Sequence, residues 1–246
     1  MRVLAVIHQA DGPSGVFADA VEEAGHDLVE WNVGERGHLP DGEFDAVLVF
    51  GGAMHVDQDE RHGWLREEDA FLRRLLGSNV PVLGVCLGAQ LLAKALGAPV
   101  RRMPSPQVGW HEIWLTSAAR EDPVFAGLPA RIDSLQWHSY AFDLPPGAAL
   151  LARDERCFQA FRAGATAWGL QFHAETTPAM LGSWIENAEC KADGSFDFGR
   201  LRTESETRIG RWNELGKEIC RRFVTVAERR GATPAAATTR ATTPSS

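Results

Sequence analysis

The chain has 246 residues, 44% of them apolar, and a formal net charge of −8. This length provides ample material for a hydrophobic core, and the acidic balance argues against nucleic acid or an anionic membrane as the main partner. No run approaches the roughly 18 apolar residues of a membrane-spanning helix, and the N-terminus reads as a first strand rather than a signal peptide. Four widely spaced cysteines without a CxxC motif indicate neither a disulfide framework nor a zinc site. We therefore expect a cytoplasmic location.

The first hundred residues alternate between strand-like apolar runs and helical patterns. The predicted strands span residues 3–7, 28–31, 45–50 and 81–85. The predicted helices span residues 16–24, 64–76 with a stop at Gly77, and 89–96. The charged run that begins at Arg66 is interpreted as a solvated helix face. Unbroken apolar strands separated by amphipathic helices indicate a parallel sheet that is covered on both faces.

From about residue 108 the pattern changes to short strands with little helix between them. The strand candidates span residues 109–116, 131–138, 148–153, 157–164 and 166–172, and helices follow at 177–188 and 204–229. We predict an α/β fold in which an open, mostly parallel sheet, flanked by helices, carries an added antiparallel strand group. Residues 1–230 are expected to form a single domain. The Ala/Thr/Pro-rich segment 231–246 has no large apolar residue and is predicted to be disordered.

Cys86 lies where a predicted buried strand turns into a helix, between Gly84 and Gly88. This is the pattern of a nucleophile elbow, in which glycines relieve crowding at a strained turn. The free N–H groups at the helix N-terminus would favour a thiolate, the reactive form of cysteine. A lone cysteine is more often a small hydrophobic core residue, but the glycine context favours a nucleophile. The other cysteines, Cys157, Cys190 and Cys220, lack this context and are predicted to be inert.

A thiolate nucleophile needs a base, and His173 is the best candidate among the eight histidines. It follows a buried run, and Glu175 stands two residues further on. In extended backbone, such alternate residues share a face, so the carboxylate can orient the imidazole. A lone histidine at a strand end is more often structural, and the pairing with Glu175 is what favours catalysis.

Acyl transfer also needs N–H donors for the oxygen that becomes negatively charged. Gly51 and Gly52 end a predicted strand and can offer such donors, and the N–H of Leu87 is a second source. Taken alone, a Gly-Gly pair is simply a flexible turn. Together with Cys86 and His173, it predicts an oxyanion hole.

The ordered set of Gly51-Gly52, "GVCLGAQ" (84–90) and "QFHAE" (171–175) resembles the class I (triad) glutamine amidotransferases. The similarity covers roughly residues 1–190 and is greatest to the GMP-synthetase-like subgroup, which is often encoded as a stand-alone chain. The resemblance implies a flavodoxin-like sheet. It further implies that Cys86 attacks the γ-carboxamide of glutamine, that His173 transfers protons, and that Glu175 supports His173.

The same resemblance implies roles for the surrounding residues. The N–H groups of Gly52 and Leu87 would form the oxyanion hole. The residues implied to contact the substrate are Gly51, Gln90, Trp137, His138 and Ser139. The expected partners are glutamine or a γ-glutamyl compound and a separate ATP-dependent synthase, with no cofactor, no metal, no nucleic acid and no membrane.

Four positions depart from the family pattern. Ala53 and Ala174 stand where prolines are usual, Gln107 where glutamate is frequent, and Tyr140 where the subgroup tends to have aspartate. The changes at Gln107 and Tyr140 affect expected substrate recognition more than the chemistry.

Several readings stay open at the level of sequence. One is a subunit that passes ammonia to a synthase on another chain, because the sequence contains no P-loop or ATP-pyrophosphatase motif. Another is a free-standing γ-glutamyl hydrolase or peptidase with the same triad. A metal-binding protein would use the loop residues His55, Asp57, Asp59 and His62, but their spacing matches no known site, and a solvated loop is the preferred interpretation. A catalytically inactive binding module is disfavoured because all three triad residues are present.

Overall fold

A computed structural model describes residues 1–189 and 196–231. The strands are β1 Arg2–Ile7, β2 Asp27–Asn32, β3 Ala46–Val49, β4 Val82–Val85, β5 Val100–Leu115, β6 Arg131–Phe142, β7 Ala149–Arg153, β8 Phe158–Ala163 and β9 Ala167–Leu170. The helices are α1 Val16–Glu23, α2 Val33–Arg36, α3 Trp64–Ser78, α4 Leu87–Ala95, α5 Pro178–Glu189 and α6 Phe198–Gly231. Cys190 and residues 232–246 of the predicted disordered segment lie outside the described residues. The domain boundary at residue 230 stays a prediction.

All nine strands belong to one sheet, in the order β2-β1-β3-β4-β9-β8-β7-β5-β6. The first five strands in this order are parallel to one another, and the remaining four continue the sheet in antiparallel pairs. The predicted α/β fold with an added antiparallel group is therefore confirmed. Because β9 pairs directly with β4, the chain that follows each of these two strands emerges at the same edge of the sheet.

The two faces of the sheet bury separate hydrophobic clusters, as alternation along a strand requires. In β1, Val3, Ala5 and Ile7 join the cluster under α1, α5 and α6. Leu4 and Val6 point to the opposite cluster, under α3 and α4. Helices on both faces thus hold the strand ends at one edge in fixed positions.

Several predicted boundaries were wrong for identifiable reasons. Helix α3 continues through Gly77 and ends at Asn79, which adopts the left-handed conformation with φ 53°. Its charged segment is not wholly solvated, because the side chain of Glu68 is completely buried. Strand β5 begins at Val100 rather than at residue 109, since Val100 pairs with Phe142 before the register shifts. Helices α2 and α6 also differ, α2 having been missed and α6 starting at Phe198.

The helices in the described residues include none that is both long and apolar enough to span a membrane. The longest, α6, carries polar and charged residues along most of its length.

Candidate active site

Cys86 lies at a sharp turn between β4 and α4. Its backbone has φ 51° and ψ −106°, a conformation that is strained for a residue with a side chain. The turn brings backbones so close that a Cβ atom on Gly84 would lie 2.5 Å from the Gly88 carbonyl carbon. A Cβ atom on Gly88 would lie 2.1 Å from the carbonyl oxygen of Val49. Both flanking glycines are therefore required by close backbone approach, as the sequence pattern predicted.

His173 and Glu175 follow β9, the neighbour of β4, and both are almost fully buried. The Nδ1 atom of His173 lies 2.8 Å from Oε1 of Glu175. The backbone of His173 is fixed as well, because its N–H donates to Leu135 at 3.0 Å and its carbonyl accepts from the Trp212 indole at 2.8 Å. The Nε2 atom of His173 has no hydrogen-bond partner among the described residues. The free nitrogen is thus the one opposite the carboxylate.

Electrostatics favour a protonated His173. Burial by itself lowers the pKa of this imidazole, but the Glu175 carboxylate and the Cys86 sulfur outweigh it and raise the pKa well above 6.5. A Cβ atom on Gly51 would lie 3.0 Å from Cε1 of His173 and 3.5 Å from Cβ of Cys86. The sulfur, the imidazole and the Gly51 backbone therefore meet at one point, although 87 residues separate Cys86 from His173.

Two backbone N–H groups beside this point are free to bind a ligand. Leu87 is the first residue of α4, a position at which the N–H has no partner within the helix. Neither Leu87 nor Gly52 donates its N–H to any acceptor in the described part of the chain. The loop that carries Gly52 is tied to the turn, since the N–H of Gly88 donates to the Phe50 carbonyl at 3.1 Å. Such donors can stabilise a negatively charged oxygen.

A cavity of about 300 Å³ opens on one side of Cys86. The predicted site residues in its wall are Gly52, Cys86, Leu87, Gln90, Trp137, His138 and Ser139. The Cys86 thiol lies 3.8 Å from the carbonyl oxygen of Trp137. Gln90 is held at the back, where its amide nitrogen donates to the Tyr140 carbonyl at 3.0 Å and to the side chain of Gln171 at 3.2 Å. Burial lowers the pKa of His138 to about 4.

The departures from the family pattern have local structural roles. The N–H of Ala53 donates to the side chain of Gln9 at 2.8 Å, a bond that a proline at this position could not make. Gln107 is buried and donates its amide to the Asp154 carboxylate at 2.7 Å, where a second carboxylate would repel the first. The ring of Tyr140 stacks on His55 with centroids 4.1 Å apart. Ala174 is completely buried.

A second cavity, of about 460 Å³, lies on the His173 side of Cys86. The wall includes Trp184, whose ring packs edge-on against His173 at 4.8 Å. Asp11 and Asn187 close one side, with Asn187 donating to the Asp11 carboxylate at 3.0 Å. Sequence reasoning missed these residues, because α5 and the loop after β1 meet only in the folded chain.

The buried pair of His8 and Glu68, behind the Gly51-Gly52 loop, was also missed. A signal was present in the sequence. Glu68 occupies the apolar stripe of α3, between Leu65 and Phe71, where a charge is unexpected without a partner.

The residues considered for a metal site are used in other ways. Asp59 pairs with Arg66 at 3.0 Å, and His55 stacks on Tyr140. Throughout residues 1–189 and 196–231, no three His, Cys, Asp or Glu side chains are grouped so that they could hold a metal ion.

Comparison with known proteins gives a consistent picture. The chain is 27% identical to the glutamine amidotransferase-like protein YfeJ of Salmonella typhimurium, over 90% of this chain and 95% of that protein. It is 42% identical to a glutamine-hydrolysing GMP synthase of Thermomicrobium roseum over 147 residues, a match that spans 56% of this chain but only 25% of that protein. The crystal structure of a glutamine amidotransferase from Thermotoga maritima superposes with a TM-score of 0.83 at 29% identity, covering 91% of this chain and 98% of that one. The family model for class-I glutamine amidotransferases matches residues 17–190. The chain therefore belongs to the class-I glutamine amidotransferase family.

Proposed function

We propose that the protein hydrolyses the γ-amide of glutamine through a γ-glutamyl thioester on Cys86 and supplies the ammonia to a separate synthase. The observation that carries this proposal is the meeting of three groups at one sheet edge. They are a cysteine in a strained elbow, a buried imidazole with a free Nε2 atom, and two unpaired N–H groups. These are the parts that nucleophilic acyl transfer requires.

In the first half of the reaction, the Cys86 thiolate attacks the γ-carbonyl carbon of the substrate. The carbonyl oxygen takes up the negative charge and accepts hydrogen bonds from the N–H groups of Gly52 and Leu87. The tetrahedral intermediate then collapses, its C–N bond breaks, and Nε2 of His173 gives a proton to the leaving nitrogen. The products of this half are ammonia and the thioester.

In the second half, His173 takes a proton from water, and the oxygen attacks the thioester carbonyl. The C–S bond breaks, glutamate leaves, and the Cys86 thiolate and protonated His173 are restored. Glu175 acts throughout by holding the Nδ1–H tautomer of His173 through the 2.8 Å contact. The upward shift of the His173 pKa supports this role, since a protonated imidazole stabilises an adjacent thiolate.

The 300 Å³ cavity is the proposed site for the amino-acid part of the substrate. Gly51 and Gln90 would hold the γ-carboxamide end, and the segment Trp137-His138-Ser139 would contact the α-amino and α-carboxyl groups. His138, with its low pKa, would bind the substrate as a neutral group.

The names of the relatives support an ammonia-supplying role, because a GMP synthase uses the nitrogen that its glutamine-hydrolysing part releases. This sequence carries no ATP-binding motif for activating an acceptor. The acceptor-activating synthase would then be a separate chain. The proposal includes a cytoplasmic location, where the Cys86 thiol stays reduced.

A second candidate function is a free-standing γ-glutamyl hydrolase or peptidase, and the 460 Å³ cavity favours it. His173 faces this cavity, so the leaving nitrogen would face it too. The volume greatly exceeds what ammonia needs and would accommodate a substituted amine.

Single-turnover measurements of glutamate release separate the two functions. The enzyme is mixed in excess with glutamine or with γ-glutamyl dipeptides. Slow release from glutamine that accelerates when an ATP-dependent synthase is added supports the subunit. Rapid unaided cleavage of the dipeptides supports the hydrolase. Unchanged activity in Cys86→Ala would contradict both.

A further inference from the structure

His8 and Glu68 form a buried pair that the proposed reaction does not use directly. Both side chains have 0% exposure. His8 follows β1 at the same sheet edge as Cys86, and Glu68 reaches it from α3. The Nε2 atom of His8 lies 3.1 and 3.0 Å from the two carboxylate oxygens of Glu68. A buried ion pair is weak evidence for stabilisation, because desolvation offsets the attraction. A positional role is therefore worth testing.

The other ring nitrogen of His8 holds the proposed oxyanion loop. Its Nδ1 atom lies 3.2 Å from the carbonyl oxygen of Gly51. A carbonyl and a carboxylate can only accept, so both ring nitrogens must donate and the imidazole must carry a proton on each. The charge of Glu68 and these hydrogen bonds raise the pKa of His8 although burial alone would lower it.

The bond to Gly51 determines where the next N–H points. The described residues contain no cis peptide bond, and in a trans peptide the C=O and N–H vectors point in opposite directions. With the Gly51 carbonyl directed at His8, the N–H of Gly52 is directed away from His8. The opposite side of this loop is where a Cβ atom on Gly51 would meet His173 and Cys86.

The loop has little freedom to turn over. A Cβ atom on Gly52 would lie 2.8 Å from Cβ of His8 and 3.1 Å from a side-chain carbon of Leu87, so the backbone is wedged between them. The ring of Trp64 stacks on His8 at 5.2 Å and keeps the imidazole in place. The bond from Gln9 to Ala53 fixes the following residue.

We propose that His8, held by Glu68, is a positioning residue that fixes the Gly51–Gly52 peptide with the Gly52 N–H facing the Cys86 sulfur. This proposal rests on the proposed acyl-transfer function. It predicts that loss of the bond to Gly51 weakens stabilisation of the oxyanion, and so slows acylation without weakening substrate binding.

Two substitutions separate the two bonds of His8. In His8→Gln, the amide nitrogen lies near the position of Nε2 and can still reach Glu68, but no donor reaches Gly51. In His8→Asn, the amide nitrogen lies near the position of Nδ1 and can still reach Gly51. The second change is combined with Glu68→Gln so that no unpaired buried charge remains. His26→Gln is the matched control, since Nε2 of His26 contacts Glu228 at 3.0 Å on the surface.

We expect His8→Gln to lower the single-turnover rate of Cys86 acylation by a γ-glutamyl amide by about 10²-fold, with KM changed by less than about threefold. The His8→Asn/Glu68→Gln variant should recover most of this rate, and the control should match the wild type. Alkylation of Cys86 by iodoacetamide develops no carbonyl oxyanion, so its rate should stay unchanged in all variants. Crystal structures should show the Gly51–Gly52 peptide reoriented in His8→Gln only.

The readouts distinguish the possible failures. Wild-type protein that forms no thioester would contradict the proposed function, and the peptide orientation in the variants would still decide the role of His8. Wild-type acylation rates with an unmoved peptide in His8→Gln would overturn the positioning role. An equal loss of alkylation and acylation, without rescue by the asparagine variant, would also overturn it, because that pattern indicates a general structural defect.

Discussion

Glu175→Gln removes the carboxylate from His173 while keeping nearly the same shape. The glutamine amide would direct its NH₂ group at Nδ1 of His173, so that this nitrogen must accept. The ring proton then moves to Nε2, which can no longer take a proton from water or a thiol. The change therefore acts on the tautomer and the charge of His173 rather than on the position of its ring.

The size of the effect follows from the geometry of the pair. Unit charges 2.8 Å apart attract by about 6 kcal/mol at an effective dielectric constant of about 20. Loss of the corresponding carboxylate in a Ser-His-Asp triad costs about 10⁴-fold in rate, or about 5.5 kcal/mol. We expect a loss of this order for Glu175→Gln, together with a fall of the His173 pKa from its raised value.

The assay is single-turnover acylation of Cys86 by a γ-glutamyl amide, measured from about pH 5 to about pH 10 across the ordinary pKa values of histidine and cysteine. Glu228→Gln is the control, because Glu228 contacts His26 at 3.0 Å away from the site. A Glu175→Gln rate within about tenfold of the wild type, with a folded protein, would refute the proposed role of the carboxylate.

Three further predictions concern stability and thiol reactivity. Burial lowers the pKa of His138 to about 4, so the unfolded state takes up the proton first as pH falls from about 6.5, and the free energy of unfolding should drop by about 3 kcal/mol by about pH 4; urea titrations of His138→Gln should lack this drop. Gly88→Ala should destabilise by about 3 kcal/mol or more because its Cβ would lie 2.1 Å from a β3 carbonyl, whereas Gly77→Ala, with no atom within 4 Å, should stabilise α3 by up to about 1 kcal/mol. Burial raises the pKa of Cys157 to about 12, so peptide mapping after limited iodoacetamide treatment at neutral pH should find Cys86 modified first; preferential labelling of Cys157 would contradict this.

The fold was predictable from sequence wherever local pattern determines structure. The buried runs that became β1, β3 and β4 have no polar interruption, and the turns around them contain glycine. Strand β5 was predicted too short because Pro104 and Pro106 lie within it. Its extra length depends on pairing with β6, which tertiary structure provides and local propensity does not.

The candidate site divides in the same way. Cys86 could be singled out because its two glycines report a close backbone approach within a short segment. The position of His173 beside it depends on β9 pairing with β4, and strand order is not written in hydrophobic periodicity. His8 and Glu68 lie 60 residues apart and meet only through packing of α3 on the sheet. Their signal was a charge within an apolar helix stripe, which indicates a buried partner without identifying it.

The most direct test of the account is to trap the acyl-enzyme. Protein mixed with glutamine or a γ-glutamyl amide is quenched in acid, digested, and analysed by mass spectrometry. The account predicts a γ-glutamyl adduct on the peptide that contains Cys86, absent from Cys86→Ala and lost on treatment with hydroxylamine. An unmodified Cys86 peptide during active turnover, or an adduct on a different residue, would contradict it.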